Sequence, residues 1–148
     1  MQEHSLKMFV FFSELLGRSV VDSNGKVLGK LTDMKVKLGE LFPKVVSLSI
    51  RKKWRRGLLE LDWSEIEGLT GHLIRLKPDA EKKIKPFAGN ENEILLREEL
   101  FDKQVVDTFG AKIERVNDIH LLVVDRELRI VHVDIGMRGI FRRLGWVK

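Results

Sequence analysis

Apolar and polar positions alternate with the period of an extended chain at two places in this sequence of 148 residues. Val46, Leu48 and Ile50 alternate with Val45, Ser47 and Ser49, and Val131, Val133 and Ile135 alternate with Ile130, His132 and Asp134. A period of two sends every second side chain to one face of a strand, so both stretches are predicted to bury the same face. Upstream, Arg18-Ser19-Val20-Val21-Asp22, Ser23-Asn24-Gly25 and Lys26-Val27-Leu28-Gly29 read as strand, tight turn and strand, because Asn-Gly accepts the positive φ of a two-residue hairpin turn. Helical periodicity is scarce. Sequential short strands with glycine turns predict a mainly β chain, folded as small antiparallel barrels.

The two regions also resemble each other. Shifted by 85 positions, Ser13 to Ile50 aligns without a gap on Glu98 to Ile135, with nine identities in 38. Glu14-Leu15 returns as Glu99-Leu100, Val20-Val21-Asp22 as Val105-Val106-Asp107, Gly25 as Gly110, Asp33 as Asp118, and Val46 and Ile50 as Val131 and Ile135. We read this as an internal repeat. In the second copy Thr108-Phe109-Gly110 keeps only the glycine of the first turn, the residue that a positive φ favours.

Repeat one continues through Arg51-Lys52-Lys53-Trp54-Arg55-Arg56 into Leu58 to Ile66 and Gly71 to Leu76. On the same register repeat two reaches Arg138, Arg142 and Arg143 and ends at Lys148, opposite Trp63. Its last strands are therefore expected to be missing, so that the second copy is incomplete in this chain. The expected boundaries are repeat one at 1–77, a linker at 78–92 and repeat two at 93–148. The linker contains Pro78, Lys82-Lys83, Pro86 and Gly89-Asn90, with room for a helical turn between Asp79 and Lys85. An unfinished barrel exposes strand edges, and a homodimer with strand exchange is the expected remedy.

Composition narrows the classes. An apolar share of 43% with 33% charged residues suits a globular chain, and each repeat buries a core only marginally alone, so the halves are expected to dock. The absence of cysteine excludes a disulfide scaffold, a thiolate zinc site and a cysteine nucleophile, and fits a cytoplasmic location. No apolar run approaches a membrane span, so a membrane-embedded chain is not expected. A net charge of +5 permits contact with nucleic acid or the anionic face of a membrane, while 22 interspersed acidic residues argue against a dedicated polyanion binder.

The densest cluster is Arg51, Lys52, Lys53, Trp54, Arg55 and Arg56, whose tryptophan can stack on a base or sit among lipid headgroups; a solvated hairpin loop is the plainer alternative. Arg138, Arg142 and Arg143 stand at the equivalent place in repeat two. Trp54 and Trp146 are the expected interface anchors, and Trp63 is expected in the core. The repeated Asp22/Asp107 and Asp33/Asp118 have the residue type of a cation site. Aspartate just before a turn glycine or at a strand end, however, more often accepts backbone amides, and magnesium would need several converging oxygens. His4, His72, His120 and His132 lack metal-ligand spacing, and Gly136-Met137-Arg138-Gly139 is not a phosphate loop. No catalytic constellation, metal or cofactor is expected.

Phe12-Ser13-Glu14-Leu15-Leu16-Gly17-Arg18-Ser19-Val20-Val21-Asp22-Ser23-Asn24-Gly25-Lys26-Val27-Leu28-Gly29-Lys30-Leu31-Thr32-Asp33 resembles the opening of a PRC-barrel domain, and Leu61-Asp62-Trp63-Ser64-Glu65-Ile66 resembles that family's later strand-to-turn element. The family is named after the cytoplasmic part of the photosynthetic reaction-centre H subunit and also supplies the C-terminal domain of a ribosome-maturation factor. Leu95 to Asp107, Arg115-Val116-Asn117-Asp118 and Val133 to Gly145 are similar to bacterial proteins with two PRC-like units. In those proteins a helical domain like the N-terminal domain of MgtE-type magnesium transporters follows, often with CBS domains. That resemblance implies a non-catalytic regulatory or scaffold module, cytoplasmic, working through protein contact with a partner or with C-terminal domains beyond Lys148. The maturation-factor likeness implies instead an RNA- or ribosome-associated module using loop 51–56. Against it stand the tandem repeat and the lack of that factor's N-terminal domain.

Overall fold

The hairpin expected at Asn24-Gly25 forms as β2 (Ser19–Val21) and β3 (Val27–Lys37), but the connection is five residues long and not two, closed by Asp22 N–H on Lys26 O and by the Asp22 carboxylate, with Gly25 alone of that pair at positive φ, +87°. It belongs to a computed structural model that describes residues 8–106, 113–135 and 140–142. Ahead of it lie β1 (Met8–Phe11) and a single helical turn, α1 (Phe12–Leu15). After it come β4 (Lys44–Arg51), β5 (Leu59–Asp62), β6 (Ile66–Leu69), β7 (Leu73–Leu76) and β8 (Lys85–Pro86). The second series is β9 (Glu93–Leu95), α2 (Leu96–Glu99), β10 (Gln104–Val106), β11 (Ile113–Val124), β12 (Glu127–Ile135) and β13 (Ile140–Arg142). The protein is mainly β, as the strand periodicity predicts.

All described strands join one curled sheet, ordered β1-β11-β12-β4-β3-β2-β7-β6, with β5 on β4, β9 on β3, β10 on β11 and β13 on β12. Pairing is antiparallel except between β2 and β7. The core is a single cluster fed from both series, including Phe12, Leu15, Leu31, Met34, Leu48 and Ile50 from the first and Leu96, Ile119, Leu121 and Val133 from the second.

The order of elements in the first series returns about 85 residues later, and so do its hydrogen bonds. Gly17 N–H donates to Leu31 O at 2.8 Å and Asp102 N–H to Val116 O at 2.9 Å; Leu31 N–H donates to Arg18 O and Val116 N–H to Lys103 O, both at 2.9 Å. Gly17 and Asp102 both have positive φ. The first strand of each series has changed sides. β1 pairs with β11, from Met8 opposite Val123 to Phe11 opposite His120, and β9 pairs with β3, from Lys35 opposite Leu95 to Lys37 opposite Glu93. Neither long strand is completed by its own series, so the two halves interlock within one chain.

Two details depart from the expected strand faces. Val46 and Val131, placed in the core by simple alternation, are only partly buried, whereas Val45 and Ile130 are 2% exposed. A bulge explains both: the register steps from Lys35/Ser47 to Val36/Val45 and from His120/His132 to Leu121/Ile130, leaving Val46 and Val131 as the extra residues. Beyond Ile135 the ungapped register also lapses. β13 pairs Asp134 with Phe141 where β5 pairs Ser49 with Glu60, because the connection after β12 is shorter than the one after β4. Arg142 thus sits in a strand opposite Val133 and not in a loop.

Residues 78–92 carry structure of their own. Ala80–Lys83 forms a 3-10 turn with Ala80 fully buried, β8 pairs with β5, and Phe87 N–H donates to Leu58 O at 3.0 Å. Phe87 and Ala88 reach the Lys35 ammonium on β3, and on the same strand pair Ser47 and Ser49, polar positions in the sequence pattern, are buried.

Candidate interaction surface

The basic run forms the connection between β4 and β5. Arg55 N–H closes a turn on Lys52 O at 3.3 Å, and Gly57 takes φ +94°, a conformation that costs a glycine little. At the apex Trp54 is 91% exposed, with the Lys53 ammonium 5.5 Å from its ring centroid. Arg51, Lys53, Arg55 and Arg56 are exposed, Lys52 is half-buried, and none forms an ion pair among the described residues. Of the other residues expected on this surface, Arg138, Arg143 and Trp146 lie outside the described residues. Asp107, Gly110, His4 and the Gly136 to Gly139 segment lie outside them too.

Lys30 stands opposite Arg51 across β3 and β4. The strands are so close there that a Cβ on Gly29 would lie 2.6 Å from Arg51 O. Beyond that pair β3 runs back into the β2–β3 turn, so Lys26, Val27 and Lys30 share one end of the sheet with the basic loop. Lys26 and Lys30 are exposed and Val27 is 58% exposed. The only carboxylate in this turn, Asp22, is committed to backbone: its Oδ1 accepts Asn24 N–H and Lys26 N–H, each at 2.9 Å.

The other repeated aspartates are committed in the same way, across the halves. Asp33 accepts Met34 N–H at 2.7 Å, Arg97 N–H at 2.7 Å and Glu98 N–H at 3.2 Å. Asp118 accepts Ile119 N–H at 2.8 Å, Ser13 N–H at 3.1 Å and the Ser13 hydroxyl. Each carboxylate therefore caps the short helix of the other half, where free N–H groups need acceptors. Burial raises the Asp33 pKa above the usual carboxylate value, with the three backbone N–H groups and Arg97 pulling the other way. The repeated glutamates serve their own helices, Glu14 accepting Phe11 N–H and Glu99 accepting Leu95 N–H.

Three features escaped sequence reasoning. Lys35 is 6% exposed and its ammonium meets Glu60 at 2.6 Å, Ala88 O at 2.6 Å, Glu93 at 3.7 Å and the face of Phe87 at 4.7 Å. A lysine at a strand position carries no sequence mark of burial. His120 and His132, 12 residues apart in sequence, pair across β11 and β12 with ring centroids 6.0 Å apart, and Phe11 stacks on His120 at 4.8 Å. Burial and the neighbouring His132 lower the His120 pKa, against the opposing pull of Asp118 and Glu14. Finally, a cleft of about 1010 Å³ opens between the β11–β12 hairpin tip and the Trp63–Leu69 surface. Trp63, expected in the core, packs against it while half-buried on the cleft wall, and its indole N–H donates to Arg126 O at 2.7 Å. Outside the cleft, Arg129 pairs with Glu40 and with Glu127, the latter a lining residue. Among the described residues no group of three His, Asp or Glu side chains can hold a metal ion.

A short-stranded antiparallel sheet curled on one core, with one-turn helices capped from the opposite half and a charged loop at its end, defines a small β-barrel-type module. The PRC-barrel domain model matches residues 8–82, from β1 through the 3-10 turn at Ala80, and the chain belongs to that family of non-catalytic domains. The curated proteins contain no match to the chain.

Proposed function

We propose that this protein is a non-catalytic docking module whose contact surface is the basic end of the sheet. The carrying observation is Trp54, an almost fully exposed indole among cations that have no acidic partner among the described residues. Exposed tryptophan and arginine are the side chains that most often anchor an interface, and unpaired cations steer an anionic partner toward it.

In its fuller form the proposal makes the chain the N-terminal regulatory part of a magnesium-transporter-like protein with MgtE-type and CBS domains. It would act in the cytoplasm through contact with those domains or with a separate protein. Support comes from the tandem order of PRC-like motifs along the chain. Self-association belongs to the same proposal, supported by the edges of β1 and β6, which pair on one side only among the described residues.

A second reading, an RNA- or ribosome-associated module, draws on the same Trp54 ring, since one aromatic beside cations is a stacking platform for a single-stranded base. Beads carrying the chain, or its Lys52→Glu/Lys53→Glu variant, would be offered cell extract at low salt, separated into membrane-protein, soluble-protein and ribosomal fractions. We expect retention from the membrane-protein or soluble-protein fraction by the wild type alone. Retention confined to the ribosomal fraction moves the conclusion to the second reading, and equal retention by the variant sinks both.

A further inference from the structure

Among the described residues the basic side chains gather most densely at one end of the sheet. Lys26, Lys30, Arg51, Lys52, Lys53, Arg55 and Arg56 gather at the end of the β2–β3 and β4–β5 hairpins, against the single, backbone-bound carboxylate of Asp22. The whole chain has a net charge of +5, so the remainder is close to neutral. Within this ring of cations two apolar side chains project from neighbouring turns, Trp54 at 91% exposure and Val27 at 58%. Sequence reading alone finds the first loop; only the antiparallel pairing of β3 with β4 brings Val27, Lys26 and Lys30 beside it.

We propose that this end of the sheet docks on the surface of a membrane rich in anionic lipid, with Trp54 and Val27 entering the headgroup layer and the seven cations facing lipid phosphates and carboxylates. The inference deepens the proposed docking function and rests on it. Three features favour a lipid surface over the other anionic partners. The patch is formed by two hairpin connections at the same end of the sheet, and a deformable headgroup layer accepts projecting tips, whereas a single nucleic-acid strand is bound in a groove that tracks its backbone. It offers one ring, already faced by Lys53, where strand binders stack successive bases on several. Its exposed apolar pair consists of an indole, which suits the interfacial zone, and an aliphatic group, which has nothing to gain from a phosphodiester. A cluster of this size also falls in the range where basic residues give measurable attraction to anionic lipid, at about fivefold in affinity for each.

The test is co-sedimentation of the chain with vesicles of phosphatidylcholine, alone or mixed with phosphatidylserine. We expect binding to the mixed vesicles only, lost at high salt, with a blue shift of tryptophan emission that disappears in Trp54→Ala. Lys52→Gln/Lys53→Gln should weaken binding by about 30-fold, while Lys82→Gln, an exposed cation elsewhere, leaves it unchanged. These positions lie on exposed or partly exposed surface loops, and circular dichroism confirms that each variant is folded. Absence of binding to the mixed vesicles overturns the inference, as does binding insensitive to both Trp54→Ala and the double substitution. Tighter, Trp54-dependent binding to single-stranded RNA than to the vesicles overturns it too. If vesicles fail while retention from a protein fraction still depends on Lys52 and Lys53, the docking function stands and only the lipid assignment falls.

Discussion

The halves of this protein share a backbone plan and differ in what they do with its outer face. In the first half Lys35, on β3, is buried against Phe87 and Ala88 and paired with Glu60; in the second half the same place on β11 is taken by His120, which lies against Phe9 and Phe11 beside His132. The aspartates two residues earlier on those strands, Asp33 and Asp118, keep the same duty in both halves: each accepts the N–H of the residue after it and binds the helix of the other half, Asp33 through Arg97 and Glu98 N–H and Asp118 through the N–H and hydroxyl of Ser13. The difference teaches which features the fold requires. Capping aspartates, glutamates and the buried leucines beside them recur because the exchanged helices need acceptors and packing. The outer-face residues diverge because each face has its own cover.

Breaking the sealed pair should have the largest effect. Glu60→Ala leaves the Lys35 ammonium buried beside an emptied site, and we expect a loss of about 3–5 kcal/mol in urea unfolding. Replacing both, Lys35→Met with Glu60→Leu, should recover most of that loss. His120→Ala, at the equivalent place, should cost about 1 kcal/mol. A His120 effect as large as that of Glu60 would mean that the two faces are equally closed.

The capping aspartates come next. Asp33 is 5% exposed and serves three backbone N–H groups, so Asp33→Ala should cost about 2–3 kcal/mol. Asp118, less buried, should cost about 1 kcal/mol on the same substitution. A smaller contrast lies at Gly29, whose added Cβ would collide with Arg51 O, so that Gly29→Ala should cost about 1–2 kcal/mol. The equivalent residue of the second half, Glu114, already carries a side chain, with its Oε2 buried and unpartnered among the described residues, so Glu114→Ala should be neutral or stabilising by up to about 1 kcal/mol.

The weakest contrast is in pH. Burial holds the folded Asp33 pKa above its ordinary 3.8, so its contribution is fully present below that value and lost as pH rises through the folded pKa. The folded His120 pKa lies below its ordinary 6.5, so its contribution is present above that value and lost as pH falls through the folded pKa. Measured against Asp33→Asn and His120→Gln, the stability differences should therefore slope in opposite directions, downward with rising pH for the first and upward for the second. Parallel slopes would remove the distinction.

Much of the local structure was legible in the residues themselves. Asn24-Gly25 marks its hairpin, the Val-Leu-Ile alternation marks β4 and β12, and the spacing of 85 places the second hairpin pairings. The densest charged cluster, Arg51 to Arg56, was legible as an exposed loop because five cations in six residues cost too much hydration to bury unpaired. The bulges that expel Val46 and Val131 were not, since one extra residue in a strand leaves the alternation on either side intact. The roles of Asp33 and Asp118 were half legible: their recurrence signalled a backbone duty, but the N–H donors they accept from lie 64 and 105 residues away.

Sequence by itself determined the class of fold, the turn positions, the family and the existence of one exposed basic loop, because period, glycine placement and charge act over a few neighbouring residues. Only the tertiary structure decided that the first strands change places between the halves, that Lys35 is buried, and that Val27, Lys26 and Lys30 join Trp54 on one surface. Those outcomes depend on which strand edges meet. Pairing between distant edges is selected by the free energy of the closed sheet and its shared core, and no short stretch of residues encodes it.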